Sequence, residues 1–296
     1  MNRFFCVLIL IISCSEQEKI LPPSSGLYSE LIFVADKEVW SEIRPDIFEV
    51  FSTHVQGVNQ PEAEYNIINV SKNKFTSIFQ SHKNIILIDS LQDDHLFRDK
   101  WSSPQIVASI ALNDSRDMLH EKLRKTKQIL KINELKQIRI RHLSSSNNVL
   151  NKNIKDRYGI GVVIPKEYTV VKDTSSLVWA AYNPPNIEEI KHIFVFKFDK
   201  KSNNLQNQVL TKVDSIFSKY LLGGPKDSYV KIEPSFEPII EDNIYRGLWK
   251  LENGFMGGPF LIKSHIINEK VIICVGLAFA PGKDKRNYIK TFEAIF

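Results

Sequence analysis

Apolar residues fall into two runs of short clusters separated by one polar break. Residues 31–35 (LIFVA), 65–70, 84–89 (NIILID) and 105–112 (QIVASIAL) read as strands, being brief apolar runs bounded by polar or turn residues. Residues 37–54 read as a helix interrupted at Pro45, and a shorter helical piece lies around residues 75–79. Asn113-Asp114-Ser115 caps a long helix reaching His142, in which Leu119, Leu123, Leu130, Leu135 and Ile138 recur at helical spacing. Ser144-Ser145-Ser146-Asn147-Asn148 then breaks the pattern.

Beyond the break, strands are predicted at 160–164 (ending on Pro165), 168–172, 177–182 and 193–198. A helix follows over 205–222, with apolar residues at 209, 210, 213, 216, 217, 220 and 221. Three longer strands come next, at 243–251, 257–267 and 270–279, and Asn253-Gly254 favours a tight turn between the first two. A helix over 283–295 completes the pattern. The result is an α+β chain in two domains, residues 28–143 and residues 148–296. Strands interleaved with helices in the first suggest a ferredoxin-like α/β unit. The second reads as an antiparallel sheet with packed helices. Its element order, with the run Ile164-Pro165-Lys166-Glu167-Tyr168, resembles the Mog1/PsbP-like fold over about residues 155–296. Members of that fold are mostly small binding or assembly modules, which is fold-level analogy.

The first residues add a location. Met1-Asn2-Arg3 precedes an apolar run over residues 4–12, the short core of a secretory signal. A bilayer span needs roughly 20 apolar residues, so this run is too short to cross one. Ile11-Ile12-Ser13-Cys14 resembles the lipobox of bacterial lipoproteins. That resemblance implies cleavage after residue 13 and a diacylglyceryl group on the Cys14 thiol. Two or more acyl chains anchor stably, each buried CH₂ adding about 0.8 kcal/mol. Residues 14–27, with the polar SEQEK and the Pro22-Pro23-Ser24-Ser25-Gly26 spacer, then form a tether. Membrane contact is expected through the lipid alone, in the cell envelope, on an outer membrane at its periplasmic face or the cell surface. The acidic SEQE after Cys14 resembles the signal that sends some Bacteroidota lipoproteins to the surface.

The other cysteines are Cys6, inside the signal, and Cys274, so no internal disulfide is expected. Cys274 lies in an apolar run, Val271 to Val275, and reads as a core residue. The net charge of +5 is concentrated between Arg116 and His142, where nine Lys or Arg face three acidic residues. That predicts a helix with a basic outer face, either simply solvated or touching anionic lipid headgroups or acidic glycans. An export signal argues against nucleic acid as a partner.

No catalytic motif stands out. The seven histidines lie far apart, without a His-x-x-x-His pair or a Cys-x-x-Cys, so no metal or cofactor is expected. Gly159-Ile160-Gly161 lacks the third glycine of a nucleotide loop. Asp93-Asp94-His95 reads as a loop. The constellation with binding chemistry is Arg246-Gly247-Leu248-Trp249 with Phe255-Met256-Gly257-Gly258-Pro259-Phe260. Glycine pairs allow close approach, and arginine with tryptophan suits stacking or anion binding. Arg246 and Trp249 are an odd number apart, so a regular strand points them to opposite faces. Candidate binding residues are Arg246, Trp249, Met256, Gly257, Gly258 and Arg286, with Gly223-Gly224-Pro225 and Lys285 as possible neighbours.

Several blocks resemble an uncharacterised family of Bacteroidota lipoproteins, domain of unknown function 4837. They include Leu21-Pro22-Pro23-Ser24-Ser25-Gly26, His82-Lys83-Asn84-Ile85-Ile86, Trp101-Ser102-Ser103-Pro104-Gln105, Arg246-Gly247-Leu248-Trp249 and Lys285-Arg286-Asn287-Tyr288. Lys83 stands where the family pattern has Arg, and Val230 where it has Met. The resemblance implies a lipoprotein and no activity. The expected function is a non-enzymatic envelope module that binds a partner protein or a glycan. The alternative is a periplasmic or surface hydrolase with a site assembled from scattered polar residues.

Overall fold

The structure, a computed structural model, describes residues 20–89, 93–112, 115–201, 204–224 and 226–296. The signal segment, Cys14, the Asn113-Asp114 pair and Pro225 lie outside the described residues. The first half runs β1 (Glu30–Val34), α1 (Lys37–Phe51), β2 (Asn66–Val70), α2 (Ser77–Gln80), β3 (Asn84–Asp89), β4 (His95–Arg98), β5 (Ile106–Ala111) and α3 (Arg116–Ser144). The second runs α4 (Asn148–Tyr158), β6 (Thr169–Asp173), β7 (Leu177–Tyr182), β8 (Ile190–Asp199), α5 (Leu205–Tyr220) and β9 (Tyr229–Ile232). It continues with β10 (Ile239–Glu241), β11 (Ile244–Glu252), β12 (Gly257–Ile267), β13 (Lys270–Phe279) and α6 (Arg286–Ile295).

The α+β class with two sheets is what forms. In the first sheet the strand order is β2-β1-β3-β5-β4. There β1 pairs in parallel with β2 and β3, β3 with β5, and only β4 runs antiparallel. This departs from the ferredoxin-like arrangement, whose sheet is antiparallel. The cause is visible in the connections and in burial. A crossover the length of α1 returns the chain parallel to β1, and β5 is buried at all six positions. Both faces are covered, as parallel sheets require. Leu31, Phe33, Ile86 and Ile106 pack under α1 and α3 on one face, while Ile32, Val34, Ile85 and Val107 meet Phe75, Phe79 and Trp101 on the other.

The second sheet is antiparallel, ordered β10-β11-β12-β13-β8-β7-β6, with β9 also pairing β11. Period-2 alternation divides its strands cleanly. Phe194, Trp249, Phe260 and Ile273 face α5. Val195, Leu261 and Cys274 face α4 and α6. Cys274 is fully buried, and burial pushes its thiol up to about 12, so it is an inert core group.

Three sequence expectations are corrected. Helix α1 runs through Pro45 without a break and stops at Phe51. Residues 160–164 are buried but form no strand; Asn147 N–H and Val163 N–H serve Ile164 and Ile295 carbonyls instead. Helix α4, not expected, begins at the end of the polar break, with Asn147 as its N-cap. Part of the basic face of α3 is also engaged with the rest of the molecule, while Arg124, Lys125, Lys136 and Arg141 are exposed. Arg116 pairs with Asp46 (2.6 Å), Lys122 with Asp94 (2.8 Å), Lys127 with Glu64 (2.6 Å) and Lys131 with Glu293 (3.1 Å). Arg139 donates to the carbonyls of Ala294 and Gly161, both at 2.9 Å. This helix lies along α6 and joins the two halves.

Candidate functional site

The parity of β11 separates the predicted residues into two cavities. Arg246 points away from α5, toward the first half of the chain. Its guanidinium is buried between Glu241 and Glu293, at 3.0 Å from each. Gly57, from the first half, presses against it: a Cβ there would stand 2.6 Å from Arg246 Cβ, and the φ of +77° suits glycine. Burial would raise the Glu293 carboxyl, but Lys131 and Arg246 outweigh it and hold the carboxyl below its ordinary value.

Arg286 opens α6 and reaches the same cavity. Its backbone N–H and that of Lys285 donate to the two oxygens of Glu62, each at 2.7 Å, so a carboxylate from the first half caps this helix. The Arg286 guanidinium donates to Ala63 O and to Asn66 Oδ1. Arg246 and Arg286 thus line one cleft of about 440 Å³ between the two halves, with Tyr65, Lys127, Lys131 and Lys290.

Trp249 points the other way. Its Nε1–H donates to Ala278 O (3.2 Å) across β12. Gly258, its register partner, makes that possible, since a Cβ at 258 would lie 2.1 Å from Ala278 O and 3.3 Å from the indole nitrogen. Gly257 begins β12 opposite Lys250, where a Cβ would approach Trp249 O at 3.0 Å. Met256 O accepts from Leu251 N–H (2.8 Å) and closes the hairpin. Gly257 and Gly258 therefore set the sheet's close approach, while Trp249 and Met256 line a second cavity.

This second cavity, about 560 Å³, opens between the end of α5 and the sheet. Gly223 and Gly224 line it too, so that sequence pair joins Trp249 while Lys285-Arg286 joins Arg246. Its walls are mainly apolar, with Trp179, Tyr220, Leu277 and Phe279 beside Trp249. At the same end of the sheet, Leu222 is 72% exposed and Phe255 wholly so, two large apolar side chains left to solvent. Trp179 stacks on Phe194 (5.3 Å) and donates its indole N–H to His192 Nδ1 (3.1 Å). Since an indole only donates, Nδ1 accepts, and the neutral ring carries its proton on Nε2. Burial drives His192 down to about 4, so at neutral pH it is an uncharged donor on a cavity-lining ring. Trp179, His192 and Phe279 were missed in the sequence because only the folded register sets β7, β8 and the distant β13 side by side.

Among the described residues no group of three or more His, Cys, Asp or Glu is placed to hold a metal ion, and no helix is long and apolar enough to cross a membrane. Asp94, from the acidic loop, accepts from Ala111 N–H (2.8 Å) and pairs with Lys122, a structural role.

Residues 147–296 match the family Domain of unknown function (DUF4837). The chain belongs to this family. Its DUF4837 region holds the antiparallel sheet, α4, α5, α6 and the whole apolar cavity. Residues 24–148 match a second family, Domain of unknown function (DUF8532). The two matches meet between α3 and α4, so the cationic cleft is built from both regions. Among solved structures, the human StarD13 (DLC2) lipid transfer and protein localization domain is similar at 10% identity, over 50% of this chain and 95% of that one. The TM-score is 0.22, too loose a superposition to carry detail across. No curated protein matches the sequence.

Proposed function

We propose that this DUF4837 protein is a lipid-anchored binding module of the bacterial envelope, and that its second half holds a molecule with an apolar body and one hydrogen-bond acceptor. Such a molecule, an acyl chain ending in a carbonyl for example, fits better than the protein or glycan partner expected from sequence. The observation that carries this is the aromatic cavity beside α5. Its volume lies within the roughly 300–1,000 Å³ of small-molecule sites. Its lining is apolar apart from a few groups, among them His192, which can orient an acceptor. Phe255 and Leu222 give an amphiphile a greasy approach.

The anchor is tested by Cys14→Ser, expected to abolish palmitate labelling and to move the protein out of the membrane fraction. A variant that stays labelled and membrane-bound sinks the lipoprotein assignment. The Cys14→Ser chain then serves for binding, with an environment-sensitive fluorescent fatty acid as probe. Gly224 lines the cavity, a Cβ added to it would meet no atom within 4 Å, and its backbone needs no positive φ. Gly224 is exposed at the cavity's rim, so Gly224→Phe should obstruct its mouth without straining the backbone. The expected result is saturable, blue-shifted probe binding that Gly224→Phe weakens at least about tenfold, a loss of roughly 1.4 kcal/mol. Equal binding by both proteins would count against the cavity.

A further inference from the structure

The cleft between the two halves carries a different chemistry. We propose that it binds a small oxyanion, a carboxylate or phosphate group, held by donors from both halves of the chain.

The case begins with unmet donors. Arg286 is 7% exposed, yet its guanidinium touches two neutral oxygens, Ala63 O and Asn66 Oδ1, and makes no ion pair among the described residues. Its Nε has no hydrogen-bond partner. Tyr65 is 2% exposed, and its hydroxyl also has none. Both residues line the cleft. Buried donors left unmade are unfavourable, and two of them beside one cavity point to an acceptor-rich guest.

The charge balance agrees. The cleft also has acidic walls, but its carboxylates are mostly answered from within. Glu64 pairs with Lys127 at 2.6 Å, Glu293 sits between Lys131 and Arg246, and Glu241 pairs with Arg246. Glu49 lies exposed, 3.9 Å from His120 Nδ1. Lys290 is taken by Glu134 (2.5 Å) and lies over the Tyr65 ring, 5.0 Å from its centre. Arg124 and Arg286 are left without a carboxylate at ion-pair distance among the described residues, so the surplus in the cleft is cationic. A guanidinium fork presents paired donors that match a carboxylate or phosphate.

The site is separate from the aromatic cavity, on the opposite face of β11, and stands whether or not that cavity binds an apolar molecule. The test is calorimetric titration of the full Cys14→Ser chain with inorganic phosphate and with acetate, against sodium chloride at matched ionic strength. Saturable binding of either anion above the chloride background is expected, and the stronger of the two tells phosphate from carboxylate chemistry. Tyr65→Phe is the informative variant. It keeps the ring that packs edge-on against Phe51 (5.8 Å) and removes only an unpartnered hydroxyl. Its thermal midpoint without added anion should stay level or rise, while its affinity for the preferred anion falls at least about tenfold. Arg124→Gln should weaken binding with the fold intact. Absence of saturable binding by both anions, or unchanged affinity in Tyr65→Phe, would overturn the proposal.

Discussion

Glu189 shows how much chemistry a single side chain can collect. Its carboxylate receives Lys283 (2.6 Å), Lys191 (2.9 Å) and the hydroxyl of Tyr288 (2.8 Å). Burial alone would raise its pKa, but these three partners together bring it down to about 2 from an ordinary 4.5. The unfolded chain therefore takes up this proton first as pH falls. The stability contributed is complete above about pH 4.5 and disappears as pH drops toward 2. Urea midpoints at pH 5 and pH 2.5 should thus differ less in Glu189→Gln than in the parent, though the variant is weaker at pH 5. An identical acid slope in both would show that Glu189 is not coupled to folding. None of this was legible in the sequence, where Glu188 and Glu189 form an ordinary acidic pair after Ile187. By contrast, the opposite orientations of Arg246 and Trp249 were legible, because strand parity alone decides them.

At the scale of elements, apolar clustering located most strands, and it failed where pairing or sparse burial decided the outcome. Periodicity marks a strand and says nothing about the direction of its neighbour, so the ferredoxin-like reading could not supply the mainly parallel pairing of the first sheet. Helix α4 buries only Leu150, Ile154 and Tyr158, one residue per turn, among polar neighbours. The signals that bound it were nonetheless present. The Asn147 side chain accepts from Leu150 N–H (3.1 Å), and Gly159 ends the helix in the left-handed region at φ +73°. The short strands β9 and β10 owe their existence to β11, which offers both of them an edge; four and three residues are too few to announce themselves.

At the scale of the whole molecule, the two halves are joined through a charged core. Glu134, 1% exposed, accepts from Ser29 N–H (2.7 Å), Asn84 Nδ2 (2.8 Å) and Lys290 Nζ (2.5 Å). In the sequence it is one of the few acids on a basic helix and reads as a surface charge. Its burial comes from Ser29 and Asn84 of the first half on one side and from the docking of α6 on the other. Lys290→Met should cost about 3–5 kcal/mol in chemical denaturation, because a buried carboxylate loses its countercharge. A loss below about 1 kcal/mol would mean that Glu134 is far better solvated than this packing implies.

Lys290 follows Glu134 by 156 residues. A chain that leaves the ribosome in order therefore exposes Glu134 on α3 long before the lysine that neutralises it arrives. Until then Glu134 has only the neutral donors of Ser29 and Asn84 and no countercharge, so the seam is expected to stay hydrated and α3 less firmly seated. Full stability of the first half is thus expected only once α6 has docked, even though each sheet has its own core.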